Sequence, residues 1–162
     1  MNPKSLELSD SLNLFALLHK KLGNYLPAKE ILSQSLPIVE SALGSDHYKV
    51  ALLLNNLADV NRKLDEFSEA KWQYEKSLKI LQDTLGPYHM DVAEVLKNLG
   101  LVHKKMAEYD TAEPFYTRAL SIIESIYGKD SVHPKLGPYL NDLADVHRKR
   151  GDTETAIMMY ER

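Results

Sequence analysis

The chain has 162 residues, 44% hydrophobic and 27% charged, with a formal net charge of −3 and no cysteine. Those values fit an ordered, soluble protein of one domain and exclude disulfides, thiolate zinc sites and cysteine nucleophiles. The near-neutral balance argues against nucleic acid as a partner, since such binders are usually basic overall.

No apolar run approaches the ~20 residues that span a bilayer, and Met1 to Asp10 has neither a basic n-region nor an apolar h-region. No membrane insertion is therefore expected, and the expected compartment is cytoplasmic.

Four short segments recur along the chain: His19-Lys20-Lys21-Leu22, Asn61-Arg62-Lys63-Leu64, His103-Lys104-Lys105-Met106 and His147-Arg148-Lys149-Arg150. Their spacing is 42, 42 and 44 residues. A fixed period of this size predicts an all-α solenoid of about four stacked units rather than one globular core. The units fall at about 5–46, 47–88, 89–132 and 133–162, as a single array over 1–162.

Each unit reads as two amphipathic helices. First helices are predicted at about 9–22, 48–64, 90–106 and 135–150, and second helices at about 26–43, 67–85, 109–127 and 153–162. In unit one, Pro27 sits in the opening turn of its helix, where no amide hydrogen bond is lost. Pro37 lies deep in the same helix and is expected to kink or loosen it. In unit two, Leu53, Leu54, Leu57, Val60 and Leu64 follow the helical spacing, as do Phe67, Ala70, Tyr74, Leu78, Leu81 and Leu85. Gly44, Gly86 and Gly128 stand where a helix stop is expected. Small residues recur at Ala16, Ala58, Gly100 and Ala144, which predicts close approach between helix axes. Before unit four, Ser131 and Val132 are the two added residues, and Gly137-Pro138 predicts a late helix start. The chain stops at Arg162, in register with Lys76 and Arg118. The fourth unit thus lacks the second half of its second helix, so a fragment of a longer array is expected.

These positions resemble tetratricopeptide repeats with a longer, 42-residue unit. Asn55-Asn56-Leu57-Ala58, Leu85-Gly86-Pro87-Tyr88-His89 and the run from Ala112 to Leu120 are similar to the repeats of kinesin light chains and their relatives. Asp65 and Ala107 depart from that pattern by replacing a turn glycine. The resemblance implies a right-handed superhelix whose first helices line a concave groove, and a protein-interaction role such as cargo or adaptor binding.

On that implied groove the sequence sets two ladders, one of Asn13, Asn55, Lys97 and Asn141, the other of Lys20, Arg62, Lys104 and Arg148. Asparagine offers a donor and an acceptor and can grip an extended peptide backbone. The cations suit acidic side chains or a terminal carboxylate. The expected partner is a protein or peptide segment with acidic residues. Lys and Arg in the last turn of a helix also interact well with its dipole, without any ligand. Asp59 and Asp145 partly neutralise the stripe. His47, His89 and His133, at helix starts, are expected to cap helices or to pack between units. His19, His103 and His147 lie one per unit, too far apart to share a metal ion.

There is no phosphate loop, His-Glu-x-x-His pair or nucleophile elbow, so neither enzymatic activity nor a cofactor is expected. Trp72 matches Glu30, Pro114 and Met158 in register, which predicts an outer face. The alternative to peptide binding is a structural spacer or oligomerisation module, self-associating through the incomplete terminal repeat.

Overall fold

The computed structural model describes residues 3–129 and 133–162, with side chains from Glu7 onward. The added pair, Ser131 and Val132, lies outside the described residues. Among those described there are eight α-helices and no strand: α1 (Pro3–Lys21), α2 (Tyr25–Leu43), α3 (Tyr48–Lys63), α4 (Phe67–Leu85), α5 (Met90–Lys105), α6 (Tyr109–Tyr127), α7 (Gly137–Lys149) and α8 (Thr153–Glu161). The chain divides into two compact units, Met1–Thr84 and Leu85–Arg162.

Boundaries follow local chemistry. α1 starts six residues earlier than its apolar pattern predicts, because nothing between Pro3 and Asp10 opposes a helix. α7 starts at Gly137 with Pro138 in its first turn, the late start that the Gly-Pro pair predicts. α2 runs through Pro37 without a break.

His47 and His89 cap α3 and α5. Their Nδ1 atoms accept from the amides of Lys49 at 3.1 Å and Asp91 at 3.2 Å. His133 accepts from the Lys135 amide in the same way, at 3.3 Å.

The turn inside every repeat has one geometry. The Glu66 amide donates to the Asn61 carbonyl at 2.9 Å and the Asp65 amide to the Arg62 carbonyl at 3.3 Å. The same pair of bonds recurs at Gly23 and Asn24, at Ala107 and Glu108, and at Gly151 and Asp152. This double closure requires a left-handed residue just past the helix. Gly23 and Gly151 meet that need with φ of 78° and 87°, whereas Asp65 and Ala107 are held at 61° despite carrying a Cβ.

Within the first unit, α1 packs on α2 and α2 on α3, with α1 also touching α3. Within the second, α5 packs on α6, α6 on α7 and α7 on α8, with α5 also touching α7. The core is made of residues at matched register: Ala16, Ala58 and Ala144 are fully buried, as are Ala28, Ala70 and Ala112. At Gly100 a Cβ would stand 2.9 Å from the buried Tyr116 ring, so this position must be bare. Trp72 is half exposed on the outer face, with Lys76 Nζ 5.6 Å from its ring centre.

Candidate functional site

In each unit the first helices touch along a polar face, α1 against α3 and α5 against α7. In the first unit this face holds a small cleft of about 100 Å³, lined by Asp10 and Asn13 of α1 and Tyr48, Lys49 and Leu52 of α3 among others. Lys49 crosses it to both carboxylate oxygens of Asp10, at 3.0 and 2.9 Å. Beside it, Asn56 Nδ2 donates to Asn13 Oδ1 at 3.1 Å. Asn13 therefore spends its acceptor on the neighbouring helix, and Asn55 stands half-buried next to that contact.

The basic ladder is more tightly engaged. Lys20 Nζ lies 3.0 Å from Asp59 Oδ2, and Arg62 bonds the other oxygen of the same carboxylate. Burial pushes the Asp59 carboxyl up. The charges of Lys20 and Arg62, with hydrogen bonds from both, outweigh that and hold it below the usual carboxylate value. The Arg62 side chain is only 9% exposed. Burial works against its charge, and Asp59 together with a hydrogen bond to Tyr74 more than compensates. Arg62 is thus largely a structural cation, which the sequence pattern did not reveal.

The second unit repeats the motif with one more carboxylate. Lys104 Nζ sits 3.0 Å from Asp142 and 3.2 Å from Asp145, and Arg148 bonds Asp145. Burial raises the Asp145 carboxyl, and hydrogen bonds from Arg148 and Lys104 lower it further than burial lifts it. Lys97 is held by Glu94 at 2.9 Å and lies 5.1 Å from the centre of the Tyr139 ring. The Tyr139 hydroxyl donates to Glu94 at 3.3 Å, and its phenol is pushed up by burial and by that carboxylate. Asn141 is exposed, at the edge of a cleft that Tyr160 and Arg162 also line.

Two relationships were missed by the sequence reading. Each cation in the last three repeats has a tyrosine twelve residues on, Tyr74, Tyr116 or Tyr160. Arg62 reaches Tyr74, Lys104 lies 5.6 Å from the Tyr116 ring centre, and Arg148 reaches Tyr160. The fixed offset was visible in the sequence. The second is a tie across the turn. His103 is almost fully buried, with Nδ1 2.6 Å from Glu108 Oε2 and its ring stacked on Phe115. His147 Nδ1 makes the same approach to Asp152, at 3.2 Å. Among the described residues, no group of three or more His, Asp or Glu could hold a metal ion, and no helix is long and apolar enough to cross a membrane.

Paired helices in a fixed repeat, small residues at the contacts and a polar face along the first helices define a helical-repeat interaction scaffold. The family model of the tetratricopeptide repeat matches residues 7–83, 73–125 and 91–162. The chain belongs to the tetratricopeptide repeat family.

Among solved structures it is similar to BtubC (BKLC) from P. vanneervenii, at 27% identity and a TM-score of 0.88 over 96% of this chain. It spans 61% of that protein's length. It is also similar to the nearly identical TPR-like repeats of a kinesin-light-chain protein from Podosopora anserina, at 20% identity and a TM-score of 0.85. That match covers 99% of this chain and 74% of the other. MamA shares the fold at 17% identity and a TM-score of 0.68, over 94% of this chain and 74% of its own. No curated protein sequence matches the chain.

Proposed function

We propose that the chain is a cytoplasmic interaction scaffold, a single array over residues 1–162, that holds an extended acidic peptide against the face of its first helices. Asn13, Asn55, Lys97 and Asn141 meet the peptide's backbone and side chains. Lys20, Arg62, Lys104 and Arg148 supply positive charge. The observation that carries this reading is the sharing of one carboxylate, Asp59, by two cations, Lys20 and Arg62. That cluster keeps one positive charge in excess, in a partly desolvated place where it acts strongly. In the second unit Asp142 and Asp145 balance Lys104 and Arg148. Acidic contacts are therefore centred on the first unit.

A structural spacer or oligomerisation module is the second reading, and the balanced charges around Lys104 favour it. Peptide titration separates the two. Fluorescence anisotropy with acidic and scrambled-charge peptides, at low and physiological salt, would compare wild type with Lys20→Gln and Asp59→Asn. Lys20→Gln weakens acidic-peptide binding and Asp59→Asn strengthens it, each roughly threefold to tenfold, with a steeper salt dependence for the latter. Equal binding by all three proteins, or none, would overturn the groove reading and leave the spacer. Arg62 is a poorer probe because its substitution also disturbs Tyr74.

A further inference from the structure

The second repeat departs from a pattern that the others share. At the position of Asn61 they carry His19, His103 and His147, and at that of Gln73 they carry Ile31, Phe115 and Met159. His103 and His147 turn Nδ1 to the acidic residue across the turn, Glu108 or Asp152. In the second repeat the corresponding Glu66 bonds Lys29 of α2 instead. Beside that ion pair lies a cleft of about 570 Å³, lined by α2, the C-terminal part of α3 and the first turns of α4. This is the size of a small-ligand pocket. Asn61 and Gln73 line it and are 0% and 4% exposed. Gln73 Nε2 donates to Glu69 Oε1 at 3.4 Å, and Asn61 Nδ2 donates to Gln73 Oε1 at 2.9 Å. The Glu69 carboxylate only accepts, so it fixes which way both amides point. Asn61 Oδ1 is thereby left as a buried acceptor without a hydrogen-bond partner among the described residues, and folded proteins meet nearly all such groups.

Charge selects what meets that acceptor. Asp65, Glu66 and Glu69 line the cleft against a single cation, Lys29. The C-terminal end of α3 and the N-terminal end of α4 meet here, so their dipoles oppose each other and the side chains set the sign. Phe67 adds an aromatic wall. The fitting group donates only, is positive and has a flat face, which describes a guanidinium better than an ammonium. The rim is open, with Ser33, Ser68 and Glu69 exposed.

We propose that this cleft receives an arginine side chain of a partner protein. Its guanidinium donates to Asn61 Oδ1 and to the Glu69 carboxylate, and its stem lies along Phe67. The exposed hydroxyls of Ser33 and Ser68 meet the backbone on either side of that arginine. None of the lining residues belongs to the two ladders, so the site stands independently of acidic-peptide binding.

Nuclear magnetic resonance titration of the isotope-labelled chain, following the side-chain amides of Asn61 and Gln73, tests this. The probes are a short glycine peptide with one central arginine, the same peptide with citrulline or lysine in its place, and free arginine. The arginine peptide is expected to shift both amides saturably. Citrulline has the same shape without the charge and should bind roughly tenfold more weakly, and lysine roughly threefold. Free arginine should bind more weakly than the peptide, because its carboxylate meets the acidic cleft. Glu69→Gln keeps an acceptor for Gln73, removes the charge and should weaken the arginine peptide roughly fivefold. Asp83→Asn makes the same charge change at the exposed far end of α4 and should leave binding unaltered. Asn61→His with Gln73→Phe writes the His103–Phe115 pair into the second repeat and should abolish binding. Circular dichroism checks its fold, and Glu69→Gln, at an exposed position, keeps the test open if that double variant does not fold. No saturable shift with the arginine peptide overturns the proposal, as does full binding by a folded double variant. Equal binding of the citrulline or lysine peptide overturns the guanidinium assignment, and equal loss in Asp83→Asn overturns the role of Glu69. Free arginine binding as tightly as the peptide overturns the protein partner and makes the cleft a small-cation site.

Discussion

Lys20 Nζ and Asp59 Oδ2 lie 3.0 Å apart, joining the last turn of α1 to the C-terminal part of α3. Arg62 bonds the same carboxylate from its own helix, so the three charges form one mostly buried cluster. A depressed carboxyl stabilises the fold above its unfolded pKa, near 3.8, and that gain fades as pH falls through the lower folded value. Asp59→Asn should therefore lose about 1–3 kcal/mol at neutral pH. Its stability should also fall less than that of wild type below about pH 4. Urea unfolding from pH 2.5 to 7 checks both signs, and parallel acid limbs for the two proteins would count against the cluster.

The left-handed turn residues offer a gain. Ala107 is held at a φ of 61° where Gly23 and Gly151 sit freely. A Cβ costs roughly 1–2 kcal/mol there, partly offset by the larger unfolded-state entropy of glycine. Ala107→Gly should stabilise the protein by about 0.5–1 kcal/mol. Asp65→Gly should gain less, because aspartate tolerates this conformation better. Gly151→Ala should lose about 1 kcal/mol. Thermal melts order the three variants, and a destabilised Ala107→Gly would contradict the turn geometry.

Gly100 reports on packing. With a Cβ already 2.9 Å from the Tyr116 ring, Gly100→Leu has no space and should cost about 2 kcal/mol or more. Trp72→Ala, on the outer face, should cost under about 1 kcal/mol. A Gly100→Leu protein with an unchanged urea midpoint would exclude the tight contact.

His103 depends on Glu108 across the turn, at 2.6 Å. Glu108→Ala leaves a buried imidazole nitrogen without its partner and should cost about 1–3 kcal/mol. Glu108→Gln, which keeps a hydrogen-bonding group, should lose less. Chemical denaturation of both variants makes the comparison, and equal loss would assign the effect to the turn backbone alone.

The repeat period, eight helices and their stops, the capping histidines and the small-residue contacts were all legible in the sequence. They are local or periodic: a helix is specified by spacing within a few residues, and a repeat writes each packing rule four times. The ladder residues were legible as a repeated spacing. Their state was not. That Lys20 shares Asp59 with a nearly buried Arg62, that Asn13 is held by Asn56, and that Lys104 answers two aspartates depend on which atoms of neighbouring helices come within about 3 Å. The same holds for exposure along α1. Leu8, Phe15 and Leu18 are exposed, whereas Val50, Leu57 and Val60 at their positions in α3 are buried. Only the packing among the described residues separates these positions, because burial belongs to the neighbours a residue acquires rather than to the residue itself.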